Sequence, residues 1–392
     1  MQYDDPCLLS KGAHIKKRGE TGAQHKMKIR QAISAVGSMA ALTLLAGCAQ
    51  LGYYMQAVEG QLSLMSEARP IDDWLADPDV EDKLKGQLAK VKQIRRFAAS
   101  ELGLPDNESY KSYADLKRSY VLWNVVAAPP LSLKPIKWCF PIAGCVNYRG
   151  YYNKREAQTF AAELRQQGYD VQVSGVPAYS TLGWFNDPVL STFIQYPDAE
   201  LARLVFHELA HQVAYAKDDS RFNESFAVAV EEVGVERWME KFGDERMRKR
   251  FADYTGRKHD FLDLLTRHRQ QLLVTYASDV SDAEKRLRKA EIFAALQEEY
   301  KTIKAERWNG YAGYDRWFSE PLSNAHLSII STYHDLVPKF REILRQQEDL
   351  PRFYQAVRSL SEMEKSARHQ RLARLGSATP AIASSDAETD LR

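Results

Sequence analysis

The sequence predicts an α+β fold that is mostly helical, with a small mixed β-sheet and a long helical hairpin. Three observations carry this. The β-rich runs Tyr120 to Ala127, Cys145 to Tyr151 and Asp170 to Val173 cluster in the first half of the chain. From Asp198 onward nearly every stretch has helical spacing of its apolar residues. Two long, alternately charged segments near 258–277 and 282–306 read as a solvated hairpin, the second opened by the capping box Ser281-x-x-Glu284.

The other elements follow in order. A short helix covers 49–66, and a second covers roughly 80–102, with Leu84, Leu88, Val91, Ile94, Phe97 and Ala98 on one stripe. A helix from Lys154 to Gln167 stops at Gly168 and leads into the third β run. Pro177 to Phe185 reads as an irregular edge strand that could pair with an extended peptide backbone. Helices follow at about 199–216 and 224–241, then the hairpin, then a pair at 322–346 and 350–373. Residues 376–392 hold few large apolar side chains and read as a disordered tail. No internal repeat is present.

Composition removes several functions. The chain has 392 residues, 44% hydrophobic and 27% charged, which is ordinary for a globular protein. Lys and Arg number 54 against 52 acids. The first 47 residues hold seven bases and three acids, so the rest carries a formal charge of −2 and offers no polybasic surface for nucleic acid. GxGxxG, GxxxxGK[ST] and GxSxG are each absent, which disfavours dinucleotide, P-loop and serine-hydrolase chemistry.

The N-terminus reads as an export signal. Met27-Lys-Ile-Arg30 precedes an uncharged stretch from Gln31 to Gly47, too short and too polar to span a bilayer that needs about 20 apolar residues. Leu45-Ala46-Gly47-Cys48 resembles the lipobox of bacterial lipoproteins. The resemblance implies that 1–47 is an extension plus signal peptide and that Cys48 is lipidated. Ala49 then points, by analogy with lipoprotein sorting, to the periplasmic face of the outer membrane. In that compartment Cys139 and Cys145 are expected to pair as a disulfide. The rival, a metal pair, has a C-x₅-C spacing wider than the usual zinc pattern.

The chemistry sits in His207-Glu208-Leu209-Ala210-His211. Histidines four apart on a helix share a face and can reach one zinc ion, and the glutamate beside the first can serve a metal-bound water. With nine histidines in the chain the pattern arises by chance in about one or two of a hundred shuffles, so its context matters. Leu201, Leu204, Val205, Leu209 and Val213 make this a packed core helix, where ionisable groups need partners. Glu224, with twelve residues between it and His211, is the expected third ligand of a His₂Glu site holding one Zn²⁺ per chain. Glu231, with nineteen residues between it and His211, is the competitor, with a spacing seen in thermolysin-like enzymes; otherwise it orients a histidine.

Gly175 to Pro188, Phe206 to Gln212 and Phe222-Asn-Glu-Ser-Phe-Ala227 together resemble the predicted zinc aminopeptidase family of Gram-negative lipoproteins. Glu101 to Asn107, Trp138 to Cys145 and Asn324-Ala-His-Leu327 extend the likeness over most of 48–370. The resemblance implies a single zincin-like catalytic domain over 48–375, with the hairpin near 258–306 as an insertion. It implies zinc held by His207, His211 and Glu224, Glu208 as general base, and a peptide substrate. Tyr333 is the candidate oxyanion donor, by analogy with zincins that use a late tyrosine. No Gly-x-Met-Glu-Asn segment, the free-amine reader of many aminopeptidases, is present, so a metalloendopeptidase remains an alternative. Another is a lipid-anchored binding or scaffolding protein whose structural zinc takes His326 or His334 as fourth ligand.

Overall fold

The computed structural model describes residues 52–140, 144–328, 330, 336–347 and 349–375. The expectations for the signal region, Cys48, Tyr333, His334 and the tail 376–392 therefore lie outside the described residues. In chain order a helix over 52–67 (α1) is followed by β1 (Arg69–Pro70), α2 (Ile71–Ala76), α3 (Asp82–Ser100), β2 (Ser112–Ala114) and β3 (Leu122–Ala128). Then come β4 (Trp138–Phe140), β5 (Gly144–Val146), β6 (Arg149–Tyr151), α4 (Lys154–Gln166), β7 (Asp170–Val176) and β8 (Val189–Leu190). The rest is helical: α5 (Asp198–His211), α6 (Ser220–Phe242), α7 (Glu245–Ala277), α8 (Asp282–Glu306), α9 (Asp315–Phe318), α10 (Asn324–Ser328), α11 (Val337–Gln347), α12 (Leu350–Ser361) and α13 (Lys365–Arg374). The chain divides into an N-terminal unit, Met1–Val58, and a main unit, Glu59–Arg392.

The main core is built around α5 and α6. In α6 the run Ser225, Phe226, Ala227, Val228, Ala229, Val230 is buried without interruption, so this helix has no water-facing side there. Helix α5 packs along it, and Gly234 sets how close the two come. A β-carbon at Gly234 would lie 2.7 Å from the Phe206 ring and 2.9 Å from Leu102. Phe97 of α3 meets Phe206 at 5.9 Å between ring centroids. On the other side of α6, Phe340 of α11 packs edge-on against Phe222 at 5.1 Å, and Phe353 of α12 lies 5.9 Å from Phe226.

The expected β runs form one small sheet and one side of a hairpin. Strands β6, β3 and β7 make an antiparallel sheet, with Val125 opposite both Arg149 and Val173. The mixed sheet is a different one: β1 pairs antiparallel and β8 parallel with β2. The predicted run Cys145 to Tyr151 is two strands, because β5 pairs with β4 while β6 pairs with β3. Cys139 and Cys145 stand directly opposite and are disulfide-bonded, with α-carbons 3.9 Å apart. That is closer than the usual range of about 4.4–6.8 Å.

Several boundaries differ from expectation for identifiable reasons. Pro177 to Phe185 is no strand: Leu182 and Gly183 have φ of +59° and +82°, in the left-handed region a strand cannot use. The buried Asp187 carboxylate instead folds the segment back, accepting from Thr181 N and Thr181 Oγ1 at 2.9 and 2.7 Å. The segment therefore offers no strand edge for a peptide. The predicted helix 322–346 is not continuous; Pro338, with its fixed φ and no N–H, stands in the first turn of α11. The predicted helix 350–373 is broken between α12 and α13, where Arg368 donates to the carbonyls of Leu360 and Met363 at 3.0 and 2.8 Å. Helix α7 begins at Glu245, and the hairpin is only partly solvated. Leu264, Leu265, Leu272, Phe293, Leu296, Tyr300 and Ile303 form a second core with Trp308 and Leu327.

The Gly234 contact predicts that Gly234→Ala overpacks the core and lowers stability by about 1–3 kcal/mol. Gly256 is the control: it lies within α7 with nothing within 4 Å of its would-be β-carbon. Gly256→Ala should be neutral or gain up to about 1 kcal/mol from helix propensity. Thermal unfolding of both variants checks this, and equal behaviour would contradict the close approach.

Candidate metal centre

His207 and His211 lie in the last turn and a half of α5, one turn apart on one face. Their Nε2 atoms are 3.2 Å apart. Glu224, from the second turn of α6, brings Oε2 to 3.4 Å from His207 Nε2 and 3.8 Å from His211 Nε2. A tetrahedral zinc with bonds of about 2.0–2.1 Å separates its donors by about 3.3 Å, so two of the three separations match that edge and the third, at 3.8 Å, is longer. Among the described residues this is the one group of three or more His, Cys, Asp or Glu side chains arranged to hold a metal ion. His326 does not join it. That histidine is buried in α10, where its Nδ1 accepts from Ser323 N.

The start of α6 is anchored strongly, and that fixes Glu224. Asp219 caps the helix by accepting from Phe222 N at 3.3 Å, and its buried carboxylate also receives the Arg368 guanidinium and His369 Nε2, the latter at 2.8 Å. Asn223 closes the link from α5: its Oδ1 accepts from Ala216 N at 2.7 Å and its Nδ2 donates to Ala216 O at 2.9 Å. The expected helix start at Glu224 is therefore four residues late. Helix α5 correspondingly ends at His211 instead of continuing to 216. There Gln212 is tied to the earlier segment, accepting from Asn107 Nδ2 at 2.7 Å and donating to Ser109 Oγ at 3.2 Å.

Glu231 lies behind His207, out of the ligand triangle. Its Oε2 is 2.8 Å from His207 Nδ1, and Arg203 Nη1 donates to both of its oxygens at 3.0 and 3.1 Å. Lys258 of α7 adds its ammonium at 3.6 Å. Burial would raise the Glu231 carboxyl, but Arg203 and His207 outweigh it and hold it well below the usual carboxylate range. An ionised Glu231 accepts a proton-bearing Nδ1, which leaves the His207 Nε2 lone pair facing His211 and Glu224. Burial alone would lower His207, yet its bonds to Glu224 and Glu231 take it up to about 10. The carboxylates that favour a proton there would favour a metal cation in its place. His211 lacks such support: burial pushes it down to about 4, and its buried Nδ1 has no partner among the described residues.

Glu208 follows His207 and stays outside the triangle. Burial, opposed by His207 and reinforced by Glu224 and Asp187, raises its carboxyl to about 7. Tyr110 lies within the electrostatic reach of Glu208 and is itself raised well above its ordinary value, first by burial. Its backbone has φ +62°, and its buried hydroxyl has no partner among the described residues. Three supporting residues were not anticipated from the sequence. Arg203, four before His207, was findable by its helical spacing; Asn223 and Asp219 act through a link whose conformation spacing does not reveal.

No curated protein and no solved structure matches the chain. The family described as "Putative aminopeptidase" matches residues 52–372, which includes α5, α6 and every residue of the site described above. With most of its length so matched, the chain belongs to that putative aminopeptidase family.

Proposed function

We propose that this protein is a zinc-dependent peptidase of zincin-like architecture, acting as an aminopeptidase from a lipid anchor on the periplasmic face of the outer membrane. The convergence of His207 Nε2, His211 Nε2 and Glu224 Oε2 within one small triangle carries the reading. The family description supports peptide hydrolysis and an aminopeptidase in particular. Anchoring rests on the lipobox-like Leu45-Ala46-Gly47-Cys48. No helix among the described residues is long and apolar enough to cross a membrane.

When bound, zinc supplies Lewis acidity toward the scissile carbonyl and a water whose pKa falls toward about 7. His207, His211 and Glu224 hold it, and Glu231 keeps the His207 ring oriented through Nδ1. Glu208 accepts the proton of the attacking water and returns it to the leaving amine. Burial raises the Glu208 carboxyl, and a cation bound beside it would draw it back toward the ionised form that accepts a proton. Tyr333 is the residue we assign to the developing oxyanion, and it lies outside the described residues.

The full chain is expected to bind about one zinc ion, and His207→Ala together with His211→Ala should abolish binding. Stoichiometric zinc in the double variant, read by metal analysis, would refute the assignment. Glu208→Gln should keep the metal and lose peptide hydrolysis; undiminished turnover on a peptide library would remove the proton-transfer role.

The two downstream glutamates give distinct expectations. Glu224→Gln removes a ligand and should cost most of the zinc affinity, whereas Glu231→Gln acts through His207 and should cost about 10–100-fold. Competitive chelator titration separates them, and the reverse order would make Glu231 the ligand. Cys48→Ser should release the protein from membranes, since acylation of that residue is the anchor proposed here. Persistent membrane pelleting after a carbonate wash would contradict the lipid anchor.

A further inference from the structure

Asn324-Ala-His-Leu327 has no part in the proposed metal chemistry, yet it is buried and bonded with care. Asn324 Nδ2 donates to the carbonyls of Pro129 and Pro130 at 2.9 and 3.0 Å, and its Oδ1 accepts from Tyr276 at 2.7 Å. Its backbone N–H donates to Asp170 at 2.9 Å. These bonds hold α10 against β7 and α7. They fix the place of His326 two residues on.

His326 is 3% exposed and stands at the floor of an open cavity of about 580 Å³ between α4, β7 and the segment 316–326. Ser323 N donates to its Nδ1 at 3.1 Å, so Nδ1 carries the lone pair and the proton sits on Nε2. Burial keeps the ring neutral, lowering it to about 4. This Nε2–H is a buried donor with no partner among the described residues. Leaving such a donor unpaired is costly, which points to a ligand that accepts from it.

The walls say what kind. Lys154, Arg165 and Arg316 line the cavity, against the carboxylates of Glu320 and Asp170. Asp170 is already neutralised by Lys289. Arg316 spends one nitrogen on Tyr120 Oη and Arg165 one on Val171 O, which leaves each guanidinium further donors. Three cations and a neutral N–H donor therefore face one uncompensated acid. None of the residues that hold zinc in the proposed function lines this cavity.

We propose that this cavity is a second binding site, taking a small molecule through an oxyanion group, carboxylate or phosphate, on His326 Nε2–H at the floor and on Lys154 and Arg316 at the rim. Its geometry is independent of the zinc reading, and each can stand without the other. A guanidinium and an ammonium beside a neutral imidazole donor suit an oxyanion with several acceptor atoms.

The test titrates the full chain with inorganic phosphate and, separately, with acetate. Binding is read from the His326 Nε2 resonance in long-range ¹H–¹⁵N correlation spectra and from calorimetry. At least one anion should bind saturably and move that resonance. The Lys154→Ala, Arg316→Ala double variant, altered only at exposed positions, should weaken it about tenfold or more, and His326→Gln should weaken it too. Phosphate alone identifies a phosphate-bearing ligand, acetate alone a carboxylate, and response to both a general oxyanion site. Anion binding at the metal centre is distinguished because it is indifferent to Lys154 and Arg316. The proposal is overturned if neither anion shifts the Nε2 resonance at concentrations to about 10 mM, or if the double variant binds as the parent does.

Discussion

Charge held between two packed helices is the constraint on which this protein turns. Between α5 and α6 the chain buries His211 and Glu231 and partly buries Arg203, His207 and Glu224, with Glu208 beside them. In a low-dielectric interior none of these can stand alone, and losing one partner of a buried pair typically costs about 3–5 kcal/mol. Each group accordingly has its counterpart: Arg203 on Glu231, Glu231 on His207 Nδ1, and Glu224 facing both Nε2 atoms. Glu224 and Glu231 draw a proton onto His207, and a bound cation would take that proton's place.

Precision at the centre comes from its periphery. Glu224 sits where it does because Asp219 caps α6, Asn223 binds the Ala216 backbone from both sides, and Arg368 reaches Asp219 from α13. Gly234 lets Phe206 approach α6, so α5 lies near enough for its histidines to meet a carboxylate from the neighbouring helix. The hairpin contributes as well, since Lys258 of α7 reaches Glu231. A segment expected to be a solvated appendage thus supports the charge balance and carries its own apolar core.

Much of this was legible in the sequence, and what was not has physical causes. Helical spacing placed α8 at 282–306 and set His207 and His211 on one face, because that information is local. The Glu224 and Glu231 positions, seven apart, put both on the side of α6 facing α5, but spacing could not decide between them. The structure puts Glu224 beside both Nε2 atoms and Glu231 behind His207 against Arg203, a tertiary fact. The region after Gly175 misled for a similar reason: its apolar run looks like a strand, yet Asp187 and the left-handed Leu182 and Gly183 turn it into a loop. The β5 and β6 strands were merged because their partners, β4 and β3, are chosen by long-range pairing. His326 was considered as a zinc ligand, and its bond from Ser323 N directs it to a separate cavity.

X-ray absorption at the zinc edge of the metal-loaded chain probes the centre most directly. The expected spectrum has two imidazole nitrogens at about 2.0–2.1 Å and carboxylate or water oxygens at about 2.0–2.2 Å, with no sulfur at about 2.3 Å. Replacing His211 by Ala should remove one imidazole from it. A sulfur shell, a third imidazole, or a spectrum indifferent to His211→Ala would contradict a His₂Glu site built from α5 and α6.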